Sequence, residues 1–167
     1  MRAIETKVYK FDELSEEAQQ RAIENSFHFN VEPDWWEVVY EDADRIGLKI
    51  TSFDIYKSHI EGEFIESAQD TIDKIKENHC VHCETYKTAI EYDGKLLIPD
   101  MYEDDEDNEF QDGFIENEGA AAEFLYSLLE DYLIKLRNEY EFQTSEENIK
   151  GSLIANEYEF TEDGEKV

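Results

Sequence analysis

The sequence predicts an α+β fold, a small antiparallel sheet packed against several helices in a single domain, and three observations carry that prediction. Residues 120–140 hold Phe124, Leu125, Leu128, Leu129, Tyr132, Leu133, Leu136 and Tyr140 at spacings of three and four, the repeat of one helix with a broad apolar face. Residues 48–56 and 58–65 are rich in Ile, Phe, Thr and Tyr and are separated by a short polar step, which reads as a hairpin. Shorter apolar-periodic stretches open on Ser, Asp or Pro, the residues that start helices. At 167 residues the chain can bury a core without metal or disulfide staples, and its 40% hydrophobic and 13% aromatic content argues against global disorder.

Taken in order, residues 4–11 alternate, with Ile4, Thr6 and Val8 on one face and Glu5, Lys7 and Tyr9 on the other, and predict a strand. Asp12 and Ser15 offer oxygens to the free N–H groups of a following helix, with Leu14, Ala18, Ala22 and Ile23 as its apolar stripe and an end between residues 25 and 30. Pro33 and Asp34 open a second helix running to Ile46 and closed by Gly47, with Trp35, Trp36, Val39, Tyr40, Ala43 and Ile46 inward. Glu37, Glu41 and Asp44 fall within about a 60° arc on its other side, at 100° per residue. After the hairpin, Ser67 caps a third helix over residues 68–78, with Ile72 and Ile75 inward. Residues 79–93 are ambiguous: Tyr86, Ala89 and Ile90 suit a helix, and Asp93-Gly94 reads as a turn before the apolar run 96–98. Residues 100–118 hold ten acids and no Lys or Arg, with Tyr102, Phe110, Phe114 and Ile115 as expected apolar anchors. Past the long helix, Thr144 or Ser145 caps another, with Ile149, Leu153 and Ile154 inward, and Asp163-Gly164 signals a tight turn.

Few residues offer chemistry. His79-Cys80-Val81-His82-Cys83 has zinc-donor types but no second pair of ligands, since His28 and His59 stand elsewhere without ligand spacing. No metal and no cofactor is expected. The same two cysteines suit reduced thiols at a helix end; a redox dithiol is disfavoured because the preceding strand and following helix of a thioredoxin-like unit are not legible. Asp105, Asp107, Glu109 and Glu116 stand at positions 1, 3, 5 and 12 of a calcium-loop spacing, but Phe110 occupies the sixth position, where the turn needs glycine. Ser-His-Asp order, a Gly-rich phosphate loop and a nucleophile elbow are absent, so no catalytic residue is assigned and the chain is not expected to be an enzyme. The Trp35-Trp36 pair is expected in the core.

Charge is the outlier, at −29. Self-repulsion of that size costs stability, and it makes nucleic acid and anionic membrane poor partners, because each phosphate contact would be repulsive. No apolar leader or membrane-length stretch stands in the sequence, which predicts a cytosolic protein. Duplex DNA carries one charge per ~1.7 Å, so 29 charges correspond to about 50 Å of duplex, against a domain about 40 Å across. The two densities match within a factor of two. A basic cleft built for nucleic acid would be attracted to such a surface, and the expected contacts are Asp104, Asp105, Glu106, Asp107 and Glu109, with Glu37, Glu41 and Asp44 second.

The runs FDELSEEAQQRAIEN (11–25), DWWEVVYEDADRIGLKI (34–50), HCETYKTAI (82–90) and SLLEDYLIKLRNEYEFQTSEENIKGSLIANEYEFTEDG (127–164) resemble a family of small acidic proteins carried by phages and mobile elements of bacteria, to which antitoxin-like labels are loosely attached. The likeness covers most of the chain, with residues 91–118 the least matched. It implies a phage or mobile-element setting and transfers no catalytic residue. A highly acidic protein in that setting is similar in kind to phage inhibitors that imitate DNA and occupy restriction or CRISPR nucleases. The expected function is therefore inhibition of a positively charged, nucleic-acid-handling host defence protein. An antitoxin-like or regulatory interaction module and a metal-dependent hydrolase stay open as alternatives.

Overall fold

The structure is a computed structural model that describes residues 7–99 and 114–167. The fold is α+β, 53% helical and 16% strand, with six helices and antiparallel strand pairs among the described residues. The strands do not form one sheet. Among the described residues they make three separate two-stranded ribbons, two of them only two or three residues long. The chain divides into two compact units, Met1–Trp36 with Asn138–Val167, and Glu37–Arg137.

In the first unit, β1 (Tyr9–Lys10) pairs antiparallel with β6 (Glu159–Phe160), Tyr9 opposite Phe160. Residues 4–6 of the expected strand lie outside the described residues, and Phe11 already turns into a 3-10 helix, Phe11–Glu13. Val8 is 40% exposed, whereas Phe11 is buried with its ring edge-on to Phe160 at 6.1 Å. Helix α1 (Glu16–Asn25) follows, with Ser15 accepting the Ala18 N–H at 3.3 Å. Its Leu14, Ala18, Ala22 and Ile23 pack with Ile149 and Leu153 of α6 (Glu146–Ala155) and with Phe160. Ser145, not Thr144, caps α6, and Ile154 turns out to solvent because it stands one residue, or about 100°, from Leu153. Gly164 has φ +84°, and a Cβ there would lie 2.2 Å from the Ala18 carbonyl oxygen, so the predicted turn rests directly on α1.

Trp35 and Trp36 precede the second helix instead of opening it. The Trp35 N–H bonds the Glu32 carbonyl in a turn at 3.2 Å, and the two indoles, half-buried, meet edge-on at 5.8 Å, with Trp35 5.3 Å from Tyr140. They are not core residues.

In the second unit, α2 (Glu37–Arg45) buries Val39 and Ala43 and leads through Ile46 and Gly47 into the hairpin β2 (Leu48–Asp54) and β3 (His59–Phe64). Helix α3 (Ala68–Asn78) has the predicted bounds, its Ser67 cap accepting the Asp70 N–H at 3.1 Å and Ile72 and Ile75 fully buried. Residues 79–93 resolve into a turn and α4 (Glu84–Tyr92). The short strands β4 (Leu97–Pro99) and β5 (Phe114–Glu116) pair antiparallel, and α5 (Glu118–Gln143) follows. Phe124, Leu128, Tyr132 and Leu136 on α5 are completely buried, with Phe64 stacked on Phe124 at 5.6 Å. Phe114 and Ile115, expected as anchors, are 63% and 42% exposed, since a two-stranded ribbon this short leaves both faces open. Among the described residues no helix is long and apolar enough to cross a membrane.

Candidate functional site

Asp104, Asp105, Glu106, Asp107 and Glu109, the first-ranked contact residues, lie outside the described residues, as does most of the calcium-like spacing; Glu116 is exposed on β5. The second-ranked set is placed. Glu37, Glu41 and Asp44 are all exposed along one side of α2, opposite the buried Val39 and Ala43, and among the described residues none of the three makes an ion pair. Other carboxylates are neutralised locally: Glu63 by Lys49 at 3.0 Å, Glu66 by Lys74 at 2.7 Å and Glu84 by Lys87 at 2.6 Å. The α2 stripe therefore keeps its full charge at the surface.

The other side of α2 carries a carboxylate of a different kind. Asp42 is half-buried and accepts hydrogen bonds at Oδ2 from the Lys135 ammonium at 2.7 Å and the Tyr132 hydroxyl at 2.9 Å. Both donors come from α5, three residues apart and so on one helix face. Lys135 also lies over the Tyr132 ring, 4.3 Å from its centroid. At Oδ1, Asp42 faces His79 Nε2 at 3.4 Å and Arg45 at 4.0 Å. The His79 ring is the foremost influence on Asp42 and, with Lys135 and Tyr132, holds its carboxyl well below the usual carboxylate range, against burial that pushes it up. Burial, followed by the Asp42 charge, pushes the Tyr132 hydroxyl well up, so it stays a donor. The His79 contact is electrostatic, not an aligned hydrogen bond: Nε2 is buried and has no hydrogen-bond partner among the described residues.

His79 caps the C-terminus of α3, with only 7% of its side chain exposed, and its other nitrogen, Nδ1, stands 3.7 Å from Cys83 Sγ. Cys83 is half-buried and is the N-cap of α4, its sulfur accepting the Tyr86 N–H at 3.4 Å. The Cys83 N–H bonds the Cys80 carbonyl at 3.2 Å, which closes the four residues into a turn. Cys80 is exposed, not half-buried as expected of a plain helix end, and the backbone N–H groups of His82 and then Cys83 reach its sulfur and hold its thiol below the ordinary value. The ambiguous stretch after the cysteines, where Tyr86, Ala89 and Ile90 suited a helix, is α4; the element before them is a helix, as expected, and not a strand. Among the described residues no group of three or more His, Cys, Asp or Glu side chains is placed to hold a metal ion.

The structure thus joins Asp42, His79, Cys83, Tyr132 and Lys135, residues that sequence reasoning did not single out as a group. Two signals could have found the node: Asp42 is an acid beside the inward arc of α2, and Lys135 is a base on the apolar arc of α5 near Tyr132. No protein-family model matches the chain, and no curated protein or solved structure matches it.

Proposed function

We propose that the protein is a non-enzymatic acidic binding protein that occupies the basic cleft of a nucleic-acid-handling host defence protein, of the restriction or CRISPR nuclease kind, by presenting carboxylates where phosphates would lie. The setting is the bacterial cytosol during carriage of a phage or mobile element, as the family resemblance implies. The observation that carries this reading is the α2 stripe: Glu37, Glu41 and Asp44, exposed on one helix face and without ion pairs among the described residues. Unpaired surface charge is what steers a cationic partner, and it acts without the cost of breaking internal salt bridges.

The test is displacement of a fluorescent duplex from purified restriction and CRISPR nucleases at two salt concentrations. The reading expects displacement at 50 mM salt that weakens on the order of a thousandfold by 200 mM, as for a binder that uses several phosphate-like contacts. Displacement unchanged by salt, or none from any nuclease, would count against it.

A second reading has one observation in its favour. Leu97, Ile98, Phe114 and Ile115 on the β4–β5 ribbon are each at least 40% exposed, an apolar surface of the sort an antitoxin-like or regulatory module would use. A complex formed through it would survive high salt.

A further inference from the structure

We propose that Cys80 and Cys83 form a reversible dithiol–disulfide couple acting on small disulfides, with Cys80 as the attacking thiol, Cys83 as the resolving thiol, and His79 backed by Asp42 as acceptor of the Cys83 proton. This goes beyond the binding reading and does not depend on it.

Five observations carry the proposal. The Cys83 N–H to Cys80 carbonyl bond closes a four-residue turn. The Cα atoms at the two ends of such a turn lie less than ~7 Å apart, within the span a disulfide needs. Cys80 is open to solvent, while Cys83 is half-buried behind it at the N-terminus of α4. A reagent therefore meets Cys80 first. His79 is buried and fixed, with Nδ1 3.7 Å from the Cys83 sulfur and Nε2 turned to Asp42 at 3.4 Å. For Nδ1 to accept a proton the neutral ring carries its hydrogen on Nε2, and the positive charge gained by the ring then faces the Asp42 carboxylate at 3.4 Å. Asp42 is in turn held in place by the Lys135 ammonium and the Tyr132 hydroxyl. The backbone N–H groups around the Cys80 sulfur favour its thiolate, the form that attacks.

The exchange balances as follows. Cys80 thiolate attacks one sulfur of RSSR, forming a mixed Cys80–S–S–R bond and releasing RS⁻. Cys83 gives its proton to His79 Nδ1 and its sulfur attacks the Cys80 sulfur, forming the Cys80–Cys83 disulfide and releasing the second RS⁻, which takes up the proton. Two protein thiols are oxidised and one small disulfide is reduced to two thiols; a small thiol in excess runs the sequence backwards. An ordinary thiol with a pKa of ~8.5 is only about 3% thiolate at neutral pH, so a built-in proton acceptor is worth at most roughly thirtyfold in the second step. The field of 29 excess negative charges favours disulfides that carry positive charge.

The experiment exposes the full chain to cystamine, a small cationic disulfide, quenches with acid and reads the mass with time. Wild type is expected to lose two hydrogens with no lasting adduct. Cys83→Ser should stop at a single half-cystamine adduct, and Cys80→Ser should react about tenfold more slowly or worse. His79→Gln should capture cystamine at the wild-type rate but hold the adduct roughly tenfold longer, and Asp42→Asn, which leaves the ring in place, gives a second measure of the same step. Oxidised glutathione, an anionic disulfide, should react more slowly at low salt and draw level as salt rises. Adducts that persist on wild type, disulfides between chains, equal reactivity of the two serine variants, or protection of both thiols by stoichiometric zinc would each overturn the proposal. Unchanged resolution in both His79→Gln and Asp42→Asn would overturn the role given to His79.

Discussion

Replacing Asp42 by Asn tests the node that ties α2 to α5. The substitution keeps the shape and one acceptor oxygen, so the Tyr132 hydroxyl can still donate, but the charge-assisted bond from Lys135 and the electrostatic contact to His79 are lost. Hydrogen bonds to charged groups contribute about 1.5–3 kcal/mol, and Asp42 is only partly buried, so the expected loss is about 2 kcal/mol. For a chain of this length that lowers Tm by roughly 4–8 °C. Asp42→Ala should cost more, about 3–4 kcal/mol, because Tyr132 is 0% exposed and its hydroxyl would be left without an acceptor. In that background Tyr132→Phe should cost nothing further. The pH dependence has a definite sign. The Asp42 carboxyl ionises more readily in the folded chain than in the unfolded one, so its stabilisation is complete at neutral pH and is lost progressively as pH falls below about 4, toward the folded value. Urea unfolding of wild type and Asp42→Asn, followed by far-UV circular dichroism at pH 7 and pH 3, should show a difference that shrinks in acid. A difference under about 0.5 kcal/mol at pH 7, or one that does not shrink, would refute the node as a stabilising element.

Gly164→Ala should destabilise by about 3 kcal/mol or more, since the new methyl would meet the Ala18 carbonyl oxygen at 2.2 Å with the backbone held at φ +84°; the same unfolding assay measures it. Thr85→Val, at a site 1% exposed whose hydroxyl has no hydrogen-bond partner among the described residues, should be neutral or stabilise by up to about 1 kcal/mol, as a melting curve will show. Raising sodium chloride from 0.05 to 0.5 M should raise Tm, because screening relieves the repulsion of a −29 chain; a Tm that falls or stays flat would mean that ion pairs, not repulsion, dominate.

Where local and global preferences agreed, the sequence was readable. Ser67, Ile72 and Ile75 mark α3 by cap and periodicity alone, and the apolar repeat of α5 survives as Phe124, Leu128, Tyr132 and Leu136, all fully buried. Where a turn and a helix start share residue types, it was not: Pro33 and Asp34 suit a first helical turn, but the ring contacts of Trp35 with Trp36 and Tyr140 hold residues 33–36 outside the helix. Of the strand expected over residues 4–11, only Tyr9–Lys10 pairs among the described residues, because Phe11 already enters a 3-10 turn. For the candidate sites, exposure of Glu37, Glu41 and Asp44 followed from helical spacing. The Asp42 node did not, because its partners lie 37, 90 and 93 residues away in sequence and Asp42 is one acid among 44. Cys80 and Cys83 were visible as a spacing, but the turn geometry that separates an exposed thiol from a shielded one is set by the ends of α3 and α4.

The α2 stripe as the surface a cationic cleft accepts is tested most directly by charge reversal. Glu37→Lys, Glu41→Lys and Asp44→Lys together move the net charge only from −29 to −23, and the same change made at Asp70, Asp73 and Glu77, three exposed acids of α3, is the matched control. With about 1 kcal/mol per lost contact, the α2 variant should displace duplex from its nuclease on the order of 100-fold less well, while the α3 variant stays within a few fold of wild type. Equal losses in the two variants would show that the partner responds to diffuse charge and would contradict the assignment.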